Sequence, residues 1–158
     1  MNKKYTINSD GRVVALRDFA NVKAGDVGGF VESETNLSHD GFCWVFGNAL
    51  VSGNAEVSDN AWVSGNAEVS GNARVYDNVL VFGDAQVFGD ARVSDNAWVS
   101  DNAWVFGNAW VSGNARVSGN ARVYDNARVY DNAWVSGNAR VFGNVLVSGD
   151  AWVSEFLI

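Results

Sequence analysis

One spacing governs this chain: a valine recurs every six residues from Val45 to Val153, nineteen times without a slip. Two residues before each valine stands a small side chain, Cys43 in the first unit and alanine afterwards, with Val79 and Val145 the two exceptions. Two residues after each valine, from 47 to 149, stands Gly twelve times and Asp six times. The next residue is Asn fifteen times and Asp three. The unit therefore reads Ala-x-Val-[Ser/Phe/Tyr]-[Gly/Asp]-Asn. Ala and Val two apart lie on one side of an extended strand. Gly, Asp and Asn are the residues that tolerate left-handed turns. A strand of about three or four residues and a tight corner, repeated, is a solenoid. A helix is excluded, because a six-residue period with a turn pair in each unit cannot present a 3.6-residue stripe. Disorder is excluded as well, since a disordered chain has no reason to keep valine in phase through nineteen units.

The unit resembles that of the hexapeptide-repeat proteins, which form left-handed parallel β-helices. Residues 43–153 match that pattern in every unit. The resemblance implies three hexads per triangular coil, or 18 residues a turn. Coils stacked at roughly 4.8 Å would make about six regular turns and a prism on the order of 30 Å long. The expected fold class is all-β: one left-handed parallel β-helix with a small N-terminal β-hairpin and cap.

The lead-in, ALRDFANVKAGDVGGFVESETNLSHDGFCWV, is similar to the start of bacterial and prophage hexapeptide proteins of the YdcK type, which carry an acyltransferase label. Within it Val31 and Leu37 are six apart, with Gly29 and Thr35 two before them, and read as two worn hexads. Leu37 to Val45 is eight residues, which places a two-residue insertion at about Ser38–Phe42. Earlier, YTINSDGRVVAL reads as a hairpin around an Asp-Gly turn. The expected organisation is a hairpin and cap over 1–28, the β-helix over 29–153 (regular from 43), and an apolar end at 154–158. Phe156, Leu157 and Ile158 would fold over the last coil as a plug; without that plug, open ends would stack into filaments.

Charge and composition narrow the function. Lys and Arg number 11 against 18 Asp and Glu, a formal net charge of −7, with no basic run. Neither nucleic acid nor an anionic membrane is an expected partner. One cysteine and one histidine exclude a disulfide framework, a cysteine-rich zinc site and any site needing several imidazoles of one chain. The corner aspartates Asp59, Asp77, Asp95, Asp101, Asp125 and Asp131 suit turn chemistry better than a calcium cage. Two threonines cannot build an ice-binding array. No metal or cofactor is expected. No apolar run approaches the ~20 residues of a membrane span, and MNKKYTINSDGR lacks a signal-peptide core, so a soluble cytoplasmic protein is expected.

With an 18-residue coil, the variable residue before each valine sorts into three columns. The first holds Trp44, Trp62, Leu80, Trp98, Arg116, Trp134 and Trp152, five of the seven tryptophans in the chain. The second holds Leu50, Glu68, Gln86, Trp104, Arg122 and Arg140; the third Glu56, Arg74, Arg92, Trp110, Arg128 and Leu146. An edge column of Phe88, Phe106, Tyr124 and Phe142 follows the second face on four consecutive coils. Stacked aromatics can stabilise a solenoid along its axis. A line of Trp44, Trp62, Leu80, Trp98, Trp134 and Trp152 would also equal or exceed the largest apolar patch expected on a soluble monomer, which points to a homo-oligomer packing this face. Hexapeptide proteins commonly form parallel trimers, so the resemblance points the same way; a dimer or a filament are the other arrangements. A stack for a sugar or other small ligand is a third reading, and the sequence identifies no particular ligand.

The resemblance also implies a histidine general base at a site between subunits, as in hexapeptide acyltransferases. His39 is the one histidine, in NLSHDG beside Asp40, and so the one catalytic candidate. A turn histidine serving the cap is the plainer reading. The repeats carry no inserted loop, and no helical segment follows them in this sequence. The expected function is a non-catalytic, self-associating scaffold or interaction module, for which the resemblance implies a phage association; the alternative is an acyltransferase-like or small-ligand-binding protein with sites between subunits.

Overall fold

The structure, a computed structural model, describes residues 3–155. The plug expected of Phe156, Leu157 and Ile158 lies outside the described residues. The periodic part folds as nineteen two-residue strands, from Trp44–Val45 to Trp152–Val153. Each of the first sixteen pairs in parallel with the strand eighteen residues on: Leu80 lies beside Trp62 on one side and Trp98 on the other, and Val81 beside Val63 and Val99. The strands form three sheets, one per face of a β-solenoid with 18-residue coils, as the repeat predicts.

The two inward positions of each hexad make the core. The repeat alanines up to Ala139, and the valines from Val45 to Val141, are at most 1% exposed. A strand places residues two apart on the same side, so Ala and Val enter the interior together. Val79, in an alanine position, is fully buried.

The corners explain the Gly/Asp choice. All eighteen of these residues have φ between 59° and 68°, the left-handed region that costs other side chains most. Where Asp stands there, its carboxylate accepts the corner N–H of the following coil: Asp95 Oδ2 from Gly113 N at 3.0 Å, Asp131 Oδ2 from Gly149 N at 3.0 Å. The following asparagines form amide ladders along the axis, as in Asn78 to Asn96 to Asn114 to Asn132. Asp84 and Asp90 accept from Asn66 and Asn72; a carboxylate has no proton to pass on, so each ends its ladder.

The lead-in closes one end. Strand β1 (Tyr5–Ile7) pairs antiparallel with β2 (Arg12–Ala15), and β2 antiparallel with β3 (Val27–Val31). The hairpin turn is held by Asn8 Oδ1, which accepts from Asp10 N and Arg12 N. Strand β3 then joins the solenoid in parallel, Phe30 beside Leu50 and Val31 beside Val51. Val31 to Val51 spans twenty residues, as does the bridge from Leu37 to Val57; the two extra residues are the insertion expected at Ser38–Phe42. The second worn hexad departs from its pattern. Residues Glu34–Asn36 form a turn of 3-10 helix, Thr35 is exposed, and Asn36 is buried in its place. Asn36 Nδ2 donates to Gly53 O and Ala55 O of the coil above, which satisfies a polar group that the interior would otherwise penalise.

Candidate functional site

His39 sits in the cap, and both its nitrogens are engaged there. Nδ1 accepts the Lys4 backbone N–H at 3.1 Å, so Nε2 carries the proton and donates to Glu34 Oε1 at 3.1 Å. The ring stacks on Tyr5 with centroids 4.2 Å apart. Glu34, not the neighbouring Asp40, orients the imidazole. Hydrogen bonds from Lys3 and His39 hold the Glu34 carboxyl below its usual range. The ring is thus held at both nitrogens and covered on one face.

Beneath it lies a pair that sequence reasoning missed. Lys4 is fully buried, and its ammonium donates to Cys43 O at 2.7 Å and to Cys43 Sγ at 3.2 Å. Burial pushes the Lys4 pKa down and the Cys43 thiol up, each partly opposed by the attraction of the other. Tyr5 donates its hydroxyl to Leu37 O at 2.6 Å, and burial raises its pKa. Cys43 fills the small inward position, as expected, at 0% exposure. No sequence pattern marks a lysine as an end-plug; only its place over the first coil does. Among the described residues, no three His, Cys, Asp or Glu side chains gather as a metal site.

The first face holds the tryptophan column in register, with one correction. Trp44 is not on the open surface: it is 1% exposed, with Tyr5 and Phe19 edge-on to its ring. The cap that the sequence placed over the first coil also covers the first tryptophan. Trp62, Leu80 and Trp98 are half-buried, while Trp134 and Trp152 are 39% and 68% exposed. These last two rings stack at 5.1 Å and 7°.

The indoles lean back onto the residue sixteen positions earlier, at the corner of the preceding coil. Where that residue is serine, the indole N–H donates to it: Trp110 to Ser94, Trp134 to Ser118, Trp152 to Ser136, at 3.0–3.1 Å. Where it is phenylalanine, the rings meet tilted or edge-on: Trp62 with Phe46, Trp98 with Phe82, Trp104 with Phe88. Tryptophan needs a partner for its N–H or a ring for its edge, and the offset of sixteen is visible in the sequence once the coil length is known.

Phe88, Phe106, Tyr124 and Phe142 stack face to face along one edge, with centroids 4.9, 4.8 and 5.3 Å apart. On the first and second faces the arginines close onto tryptophans, Arg116 over Trp98 and Arg122 over Trp104, both at 4.3 Å. The third face differs. Arg74, Arg92, Trp110 and Arg128 follow one another on successive coils, and Arg92 and Arg128 stand 5.9 and 5.5 Å from Trp110. A shallow groove of about 550 Å³ runs beside them, bordered by Asn72, Asp90 and Asn108. No described helix is long and apolar enough to cross a membrane.

Among known proteins, the family model for the YdcK β-solenoid repeat matches this chain over residues 67–101 and 109–155, just over half its length. No curated protein matches it.

Proposed function

We propose that this chain, a member of the YdcK β-solenoid repeat family, is a rigid, non-catalytic scaffold that self-associates through its first face. The observation that carries this reading is the stacked, exposed pair Trp134–Trp152 at the end of the tryptophan column. Large aromatic side chains are the anchors that dominate protein contacts. A second copy is the partner that charge favours. The protein carries a net charge of −7, yet the outward residues of this face comprise tryptophans, Leu80 and one arginine, with no carboxylate. Two copies can therefore meet over these outward residues without opposing carboxylates on the face itself, provided the edge carrying Asp59, Asp77, Asp95 and Asp131 lies outside the contact. The second and third faces each carry a glutamate, Glu68 and Glu56.

Light scattering after size exclusion tests the reading, with the double variant Trp134→Ser/Trp152→Ser alongside the parent chain. Both side chains are exposed, so the variant keeps its far-ultraviolet circular dichroism. A discrete dimer or trimer that falls to monomer in the variant is the expected result. A monomer at several hundred micromolar overturns it. So do filaments that persist in the variant, since they would place the contact at the ends of the solenoid.

A further inference from the structure

We infer that the groove on the third face binds an acidic saccharide, with Arg92 and Arg128 taking carboxylates and Trp110 taking the apolar face of a sugar ring. The first observation is electrostatic. Arg74 and Arg92 are direct neighbours in the sheet, about 4.8 Å apart along the axis, where like charges oppose each other. Among the described residues the ion pairs shorter than 4 Å lie in the cap, and none of Arg74, Arg92 and Arg128 has a carboxylate at that distance. Glu56 is the sheet neighbour of Arg74 without closing on it. Asp90, at the groove's border, accepts from Asn72 at 3.0 Å. The three guanidiniums are thus left with unused planar donor forks, the geometry that takes a carboxylate bidentately.

The second observation is the contrast between faces. Arg116 and Arg122 lie at 4.3 Å over their tryptophans, so each cation and the ring face beneath it are committed to each other. Arg92 and Arg128 straddle Trp110 at 5.9 and 5.5 Å, the outer limit of a cation–π contact, so a carboxylate draws them off the ring more readily than it would their counterparts. Meanwhile the indole is fixed: its N–H donates to Ser94 Oγ at 3.1 Å, and Ser94 is 3% exposed. A ring held in this way loses little entropy on binding.

Charge alone would suit any anion; the surroundings narrow the class. The amides of Asn72 and Asn108 border the groove, and Tyr130 adjoins its continuation beside Trp110 and Arg128. Each amide spends one N–H on its axial ladder, Asn72 on Asp90 and Asn108 on Asn126, and keeps the second for a hydroxyl-bearing ligand, to which the Tyr130 hydroxyl can both donate and accept. The groove is shallow and follows the axis, which suits an extended chain. Arg92 and Arg128 stand two coil rises apart with Trp110 between them, about 9.6 Å along the axis, which suits alternate units of such a chain.

The test follows the indole N–H signal of Trp110 in nitrogen-15-labelled protein, assigned with Trp110→Phe. The probes are tetragalacturonate, the matching neutral galactose tetramer, and inorganic sulfate. The uronate should shift the Trp110 signal saturably, with affinity weakened about tenfold in Arg92→Gln and in Arg128→Gln and unchanged in Arg140→Gln on the second face. Equal binding of the neutral tetramer overturns the role of the arginines. Competition by sulfate at equal charge concentration reduces the groove to an anion site and overturns the saccharide. No shift at Trp110 overturns both. The readout is independent of mass in solution, so its failure is distinct from failure of self-association.

Discussion

A methyl group added at two different corners separates backbone strain from crowding between coils. Gly89 and Gly143 both have φ near +66°, so alanine at either pays the left-handed penalty of about 1–2 kcal/mol. Stiffening the unfolded chain returns about 0.4–1 kcal/mol. At Gly143 nothing lies within 4 Å of the new Cβ, and Gly143→Ala should cost about 1 kcal/mol in all. At Gly89 the new Cβ would meet the backbone N of Gly107 at 2.9 Å. The next coil must give way, which adds about 1 kcal/mol or more, so Gly89→Ala should cost about twice as much. Gly89→Asp brings the same Cβ together with a carboxylate able to accept the Gly107 N–H, as Asp95 accepts that of Gly113. A hydrogen bond to a charged group is worth about 1.5 kcal/mol, so the Asp variant should be more stable than the Ala variant at this one position. Urea unfolding followed by circular dichroism and tryptophan fluorescence gives the values, provided both probes report one transition, which repeat proteins do not guarantee. Equal losses for Gly89→Ala and Gly143→Ala, or an Asp variant weaker than the Ala variant, would refute the reasoning about the corners.

Three further outcomes are expected. Tyr5→Phe removes the donor to the buried Leu37 carbonyl and should cost about 1–3 kcal/mol; a loss under a few tenths in urea unfolding would mean that water takes over. The Cys43 thiol, fully buried and with its pKa raised by burial, should react with a disulfide reagent at pH 8 at least a hundredfold more slowly than in urea-unfolded chain, and a rapid native reaction would show that the cap opens. Glu34 has its pKa lowered below 4.5 by Lys3 and His39; its contribution is therefore present above pH 4.5 and is lost as pH falls through the lower folded value. Hydrogen exchange of the cap amides should accelerate over that acid window in the parent chain, and Glu34→Gln should flatten the change. An identical acid profile in the variant would assign the loss to other carboxylates.

The sequence by itself determined the parts of this protein that repeat. A six-residue period with one inward Val, one inward Ala and one left-handed corner leaves no other regular structure able to bury the valines, and it places each outward residue on its face. The tryptophan column, the Phe88–Phe142 edge and the asparagine ladders followed from that arithmetic, because a solenoid turns sequence spacing directly into neighbours in space. What does not repeat was decided by tertiary structure. Trp44 has the same local pattern as Trp62, yet it is buried because the hairpin lies over it. Lys4 reads as a solvated charge, yet it ends in the interior because the end of a solenoid offers carbonyl oxygens that a buried ammonium can satisfy. His39 reads as a candidate base, yet its partners come from Lys4 and Glu34, which the sequence gives no reason to bring together. On the third face, finally, the sequence lists arginines and a tryptophan in order. Only side-chain packing decides that the cations lie farther from the ring there than their counterparts do on the other faces.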